Sequence, residues 1–214
     1  MIVKFDSVSS RAGLCNFSLS IPLDQVTLLY DPSKIFSASI LRAMLGLDEI
    51  YSGNIYYDGI DLDQYFADGV QTSKLGYVFD EGIMLSNLSL QENLLLPLHW
   101  VKPELDTAQS DALISHWMEL FELKLDLKQR PELCRPGQLK LLGFVRTLLV
   151  NPNYLLLDDP FYLLNKLERE ILYRVIKQLK ASYPMLIASI DDEFGAGFAD
   201  AIIDLSSFQD NFSY

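Results

Sequence analysis

The sequence predicts an α/β protein built on a parallel sheet, because short buried strands alternate with helices. The clearest strand lies in YLLLDDPF at 154–161, where four apolar residues are followed by Asp158 and Asp159 at the carboxyl end and then by Pro160. A strand of this type is buried on both faces of a parallel sheet. VTLLY at 26–30 is a second such strand, and apolar residues at helical spacing follow it over 35–47. Together they form the first half of a βαβ unit.

Strands are predicted in the first and last parts of the chain, whereas the middle part is predicted to be helical only. Residues 2–5 and 17–21 alternate between polar and apolar and predict an antiparallel β layer at the start. Segment 82–135 is helical without strands, so we predict one domain over 1–214, with its core at 1–81 and 136–214 and an inserted helical subdomain at about 82–135. Further strands are predicted at 53–62 (a hairpin turning at Asp58-Gly59), 74–81, 185–190 and 201–205, and helices at 90–98, 107–121, 138–150 and 164–182.

Composition excludes several classes of partner. A net charge of -12 and a pI of about 4.5 disfavour nucleic acid and anionic lipid, which require basic patches. Lys4 and Asp6 interrupt any apolar leader, and Arg146 interrupts the apolar stretch at 141–150. We therefore expect no targeting segment and no direct membrane insertion. Cys15 and Cys134 lack metal-ligand spacing and are expected to be reduced packing residues of a cytoplasmic protein.

Four phrases of the sequence carry a family resemblance over nearly the whole chain. They are, in order, VTLLYDPSKIFSASILRAMLGL, SGNIYYDG, GYVFDEGIMLSNLSLQENLLLPL and CRPGQLKLLGFVRTLLVNPNYLLLDDPF. In order and spacing they resemble the ATPase subunits of ATP-binding-cassette (ABC) transporters, most of all the importer and lipid-transport branch. The resemblance implies a P-loop NTPase-like (RecA-like) core with an antiparallel β layer and a helical subdomain.

The segment that aligns with the family's phosphate loop lacks its chemistry. Glycines, a lysine and a hydroxyl in the pattern G-x-x-x-x-G-K-[ST] hold phosphate and Mg²⁺. The aligned residues here are Asp31 and Phe36 for the glycines, Ser37 for the lysine and Ala38 for the hydroxyl, followed by Ser39. A carboxylate about 4 Å from phosphate would cost about 4 kcal/mol, more than the 0.3–1 kcal/mol that a helix dipole supplies. We expect a closed former phosphate site, filled by Phe36 first of all.

The other catalytic positions have changed as well. Asp80 stands where the family has a glutamine, Asp159 replaces the glutamate that polarises water, and Ile190 replaces the histidine that contacts phosphate. Asp158 remains as the one candidate magnesium ligand, and Asn165 takes the place of an aspartate. The resemblance thus implies lost ATP hydrolysis, with no cofactor expected; ATP and Mg²⁺ enter only if the chain is a divergent ATPase.

The signature loop of the family, LSGGQ, is CRPGQ at 134–138. Gly137 and Gln138 remain, while Arg135 replaces the serine and Pro136 removes an amide donor. Each ATP site in the family is shared between two subunits, so this loop could serve an intact partner.

Three functions remain open at this stage. The first is a non-hydrolysing subunit, peripheral at the inner face of the membrane, that docks a transmembrane permease and pairs with a second copy or another ABC ATPase. The family's docking groove would fall at 81–93, with apolar contacts from Ile83, Met84, Leu85, Leu88 and Leu90. The second is a divergent ATPase in which Lys34 or Lys140 replaces the missing lysine. The third is a scaffold or regulator without a transporter.

Overall fold

The computed structural model describes residues 1–34, 36–67, 74–191 and 197–211. An antiparallel sheet contains β1 (Ile2–Ser10), β2 (Phe17–Pro22), β4 (Ile50–Tyr57) and β5 (Ile60–Asp61) in the order β2-β1-β4-β5. Asp58 and Gly59 both have positive φ, 48° and 85°, as a two-residue hairpin turn requires. The predicted β layer and its hairpin are therefore confirmed.

The second sheet is parallel and contains β3 (Val26–Tyr30), β6 (Leu75–Val78), β7 (Tyr154–Asp158), β8 (Met185–Ser189) and β9 (Ala201–Asp204). Its order is β6-β7-β8-β3-β9, with every neighbouring pair parallel. The predicted α/β fold is thus confirmed, and YLLLD is an interior strand. Because parallel strands end at one edge, the residues that follow β3, β6, β7 and β8 come together there.

Six helices connect and cover these sheets in the described part of the chain: α1 (Phe36–Met44), α2 (Leu62–Phe66), α3 (Leu90–Val101), α4 (Thr107–Leu120), α5 (Pro136–Leu149) and α6 (Lys166–Leu179). Short 3₁₀ segments lie at Pro131–Leu133 and Leu205–Asn211. The short helix α2 was not predicted; its start is capped by Asp61, whose Oδ1 accepts the Asp63 amide at 3.0 Å. Capping boxes at Ser89, Asp106 and Asn165 begin α3, α4 and α6.

Two apolar clusters make up the core. One contains Leu28 and Leu157 of the parallel sheet together with residues of α3 to α6, so the inserted helices share a core with the sheet. The other joins α1 and the opposite face of the sheet to the antiparallel layer. None of the helices that the structure describes has the length and apolar character needed to cross a membrane.

Candidate functional site

Asp31 caps the start of α1 from the end of β3. Its side chain is buried, and Oδ2 accepts the backbone amides of Phe36 and Ser37, both at 2.8 Å. Oδ1 accepts the amide of Ser33 at 3.1 Å and its hydroxyl at 2.5 Å. The first amides of a helix form an anion site. In this chain the anion is the protein's own carboxylate.

Lys34 turns from the same loop toward the acidic residues of the strand edge. Its ammonium lies 3.1 Å from Asp159 Oδ2 and 3.8 Å from Asp80 Oδ2. It also lies 3.4 Å from the centroid of the Tyr162 ring. The left-handed backbone of Lys34, with φ 61°, directs the chain through this turn. The loop therefore supplies a cation to the carboxylates at the ends of β6 and β7.

Asp158 ends β7 inside the protein. Its Oδ2 accepts the Tyr77 hydroxyl at 2.8 Å, and only 5% of the residue is exposed. Burial raises the pKa of Asp158, and the Tyr77 hydrogen bond opposes that shift. Burial and the nearby Asp158 charge also raise the pKa of Tyr77. Among the residues that the structure describes, no group of three or more His, Cys, Asp or Glu side chains is arranged to hold a metal ion.

Lys140 lies beneath this edge, with no exposed surface. Its Nζ donates to four backbone carbonyls, at 2.5 Å to Phe79, 3.0 Å to Asp80, 2.9 Å to Asp158 and 3.2 Å to Asp159. Burial lowers the pKa of Lys140 to about 8, and the carboxylates of Asp158, Asp80 and Asp159 oppose that shift. The hydrogen bonds of the Lys140 ammonium therefore go to backbone carbonyls at the ends of β6 and β7.

The segment 134–138 begins α5 and is tied to α6. Pro136 is the first helical residue, and the Arg135 amide donates to Gln138 Oε1 at 3.0 Å. The Arg135 guanidinium lies 2.9 Å from Oε1 of Glu168, a carboxylate of which 7% is exposed. A Cβ on Gly137 would lie 2.2 Å from Glu168 Oε2, so any larger residue here would displace that carboxylate. Arg135 is therefore neutralised within its own chain.

The remaining predicted residues of the phosphate-loop segment are structural. Phe36 is 2% exposed and packs in the cluster under the antiparallel layer. The acceptor of the loop amides is thus Asp31, and the aromatic ring lies in the core instead. Ser39 Oγ donates to Ala12 O at 2.7 Å, while Ala38 is half-buried. Ile190, which follows β8, is 50% exposed.

Two apolar grooves adjoin the segment predicted to dock a partner. A groove of about 330 Å³ is lined by Glu81, Gly82, Ile83, Pro136, Leu139 and Leu163. Another of about 400 Å³ is lined by Leu85, Asn93, Leu96, Pro97, Trp100, Val101 and Arg146. Ile83 and Leu85 are about half exposed, whereas Leu88 is partly buried.

Two residues of the predicted docking set face inward, and two exposed apolar residues lie next to that set. Leu90 is only 1% exposed and belongs to the core, which removes it from the docking surface, and Met84 packs against the same core. Trp100 is 88% exposed and Leu96 57% exposed, yet both lie beyond the predicted segment. A tryptophan just beyond the predicted helix at 90–98 is the sequence feature that could have drawn attention to this surface.

A family model described as ABC transporter matches residues 14–162, which is more than half of the chain. The chain belongs to the ABC transporter family. It is 29% identical over 212 residues to the sulfate/thiosulfate import ATP-binding protein CysA of Bacillus cereus, covering 95% of this chain and 58% of that protein. The CysA protein of Escherichia coli K12 is 27% identical over 198 residues, covering 90% of this chain and 53% of that protein. This ABC family chain thus spans little more than half the length of these relatives.

Solved ABC structures share the fold. The dimeric structure of MJ0796, a bacterial ABC transporter cassette, matches with a TM-score of 0.81 at 22% identity, covering 95% of this chain and 94% of that one. The cbiO1 protein of Clostridium perfringens, part of the cbiONQ complex, matches with a TM-score of 0.73 at 15% identity, covering 94% of this chain and 83% of that one. At these identities the likeness establishes the fold alone, which agrees with the P-loop NTPase-like architecture predicted for this ABC family member.

Proposed function

We propose that this ABC family member neither binds nor hydrolyses ATP and acts by docking a transmembrane permease. The observation that carries the proposal is the Asp31 carboxylate, which accepts the Phe36 and Ser37 amides at 2.8 Å. These are the amides with which a phosphate loop would hold a phosphate. A tethered carboxylate in their place excludes phosphate by both occupancy and charge.

The cation side of the site supports the same proposal. Asp159 and Asp80 lie near the Lys34 ammonium, and Asp158 accepts a hydrogen bond from Tyr77. A magnesium ion would have to displace Lys34 from these carboxylates. These residues therefore do not fit a magnesium nucleotide.

The docking function rests on the second groove, lined by Leu85, Leu96, Trp100 and their neighbours. A soluble surface rarely leaves a tryptophan 88% exposed beside other apolar side chains unless a partner covers it. We propose that a permease segment covers it, which would place the chain at the cytoplasmic face of a membrane. There it would pair with a second copy or with a competent ABC ATPase.

Calorimetry with MgATP on the purified chain tests the nucleotide part of the proposal. The expected result is no heat of binding and no thermal shift at millimolar MgATP. Binding tighter than about 100 μM, near -5.5 kcal/mol, would overturn it. The D31G/S37K/A38T variant serves as a matched control, because it removes the internal anion and supplies a lysine and a hydroxyl; weak MgATP binding by this variant alone would support occupancy by Asp31.

The two alternative functions differ in observable ways. A divergent ATPase needs a free lysine near the phosphates, but Lys140 donates to four carbonyls and Lys34 is paired with carboxylates. A soluble scaffold would not sediment with membranes from cells that express it. We expect the wild type to sediment with membranes and the L96A/W100A variant to lose this association. L133A, which removes an apolar side chain that is 70% exposed outside the groove, is the matched control.

A further inference from the structure

Lys140 is a buried charged group to which the proposed function assigns no role. A charged ammonium has three donors, and burial without partners would cost several kcal/mol. Four carbonyl oxygens within 3.2 Å surround this one. They come from two neighbouring strand ends, those of β6 and β7. A single side chain of α5 thus joins three elements of the fold.

The carbonyls on the β6 side begin the segment 79–85, called the docking segment here because it overlaps the predicted groove at 81–93 and ends at Leu85, which lines the second groove. Phe79 and Asp80 precede Glu81 and Gly82, which line the first groove. Gly82 also lies against α5, since a Cβ on it would be 2.1 Å from Leu139 C and 2.3 Å from Lys140 N. The segment is therefore held by the Lys140 ammonium at its start and by close backbone packing two residues later.

We propose that Lys140 is a positioning residue that holds the docking segment 79–85 against the strand edge, so that the docking surface keeps its shape without a nucleotide. This inference rests on the proposed docking function but is tested on the isolated chain. An internal ammonium, permanently tethered to α5, joins the two strand ends. The docking segment then keeps its position against the strand edge whether or not a nucleotide is bound nearby.

Two backbone amides of the docking segment report on this attachment by the Lys140 ammonium, which is called the Lys140 clamp below. Ile83 N donates to Glu81 O at 2.9 Å, and Leu85 N donates to Asn93 Oδ1 at 2.7 Å. The first bond lies within the segment and the second joins it to α3, so faster exchange of these amide hydrogens reports loss of the segment's present conformation. Amides of β8, in the interior of the sheet, report on global unfolding instead.

The test compares hydrogen exchange in the wild type, K140M and K34M. Methionine keeps an unbranched side chain that is one atom shorter than that of Lys140 and has no charge or donor. We expect K140M to raise exchange at Ile83 and Leu85 by about tenfold or more while the β8 amides stay protected. K34M is the control, because Lys34 contacts Asp80 and Asp159 only through their carboxylates; its exchange at the same amides should stay within about twofold of the wild type.

Unchanged exchange in K140M, or an equal rise in the segment and in β8, would overturn the proposal. If K140M does not fold, NMR of ¹⁵N-lysine in the wild type decides. A clamped ammonium gives a slowly exchanging NH₃⁺ signal, and the absence of any such signal would equally refute the clamp. Membrane association retained in L96A/W100A would refute the docking surface, while raised segment exchange in K140M would still support the Lys140 contact, so the two proposals fail separately.

Discussion

Replacing Asp31 with alanine tests whether its carboxylate is a structural anion. The substitution leaves the buried amides of Phe36 and Ser37, and the amide and hydroxyl of Ser33, without their present acceptor. Loss of a helix cap costs about 0.5–2 kcal/mol, and a hydrogen bond to a charged group contributes about 1.5–3 kcal/mol. Because these contributions overlap, we expect Asp31→Ala to lower the free energy of unfolding by about 2–4 kcal/mol.

Urea denaturation gives that difference directly, and a thermal melt should show a fall of about 10 °C for a domain of this size. Asp6→Ala, at an exposed aspartate, is the control and should change little. Sulfate or phosphate should restore part of the stability of the Asp31→Ala variant, since an external anion can take the vacated amides. A variant as stable as the wild type, or one indifferent to anions, would refute the assignment of Asp31 as the internal anion.

Three further predictions concern other parts of the site. Burial lowers the pKa of Lys140 from 10.5 to about 8, so between these pH values the folded state binds fewer protons than the unfolded state. The free energy of unfolding should therefore rise with pH over that range, by up to about 3 kcal/mol. Urea titrations at several pH values measure this rise, and the contribution of position 140 should be absent in K140M. Gly82→Ala should destabilise the fold by more than about 2 kcal/mol, because the added Cβ would lie 2.1 Å from the α5 backbone. Gly143→Ala, whose added Cβ would meet no atom of another element within 4 Å, should be neutral or stabilising by up to about 1 kcal/mol in the same denaturation assay. Trp100→Ala should leave the melting temperature within about 2 °C of the wild type, since the side chain is 88% exposed, and a larger loss would mean that Trp100 supports the fold.

The sequence predicted the fold well because its strongest signals are local. The strand predicted within 154–161 is β7, Tyr154–Asp158, because a short apolar run bounded by turn residues favours a buried strand. Helix α2 was missed because five residues carry too little periodicity to be recognised. Leu90 was assigned to a docking surface because spacing alone does not say which neighbour an apolar helix residue meets; the structure buries it in the shared core.

The site was harder to predict because its key contacts join residues that are distant in sequence. Aligned against a phosphate loop, Asp31 was expected to repel phosphate, but nothing in the spacing showed that the same carboxylate would cap α1. An acidic residue shortly before a predicted helix, whose first amides need acceptors, is the signal that could have suggested it. Lys140 contacts carbonyls up to 61 residues away, and only the register of β6 beside β7 brings them together.

Phe36 makes the change in the phosphate loop difficult to reverse. The family's loop has a glycine at the aligned position, whereas this ring is 2% exposed and packs with the antiparallel layer. Removing a buried phenylalanine costs about 3–5 kcal/mol, and glycine in a helix adds about 1 kcal/mol. A chain of ordinary stability has about 5–15 kcal/mol in total, so restoring the glycine consumes much of it. We therefore expect D31G/S37K/A38T to remain folded in urea titrations, and the further substitution F36G to lower the free energy of unfolding by about 4 kcal/mol or more. Little additional loss from F36G would show that the ring is dispensable to the core, and the proposal that packing has committed this loop to a structural role would then fail.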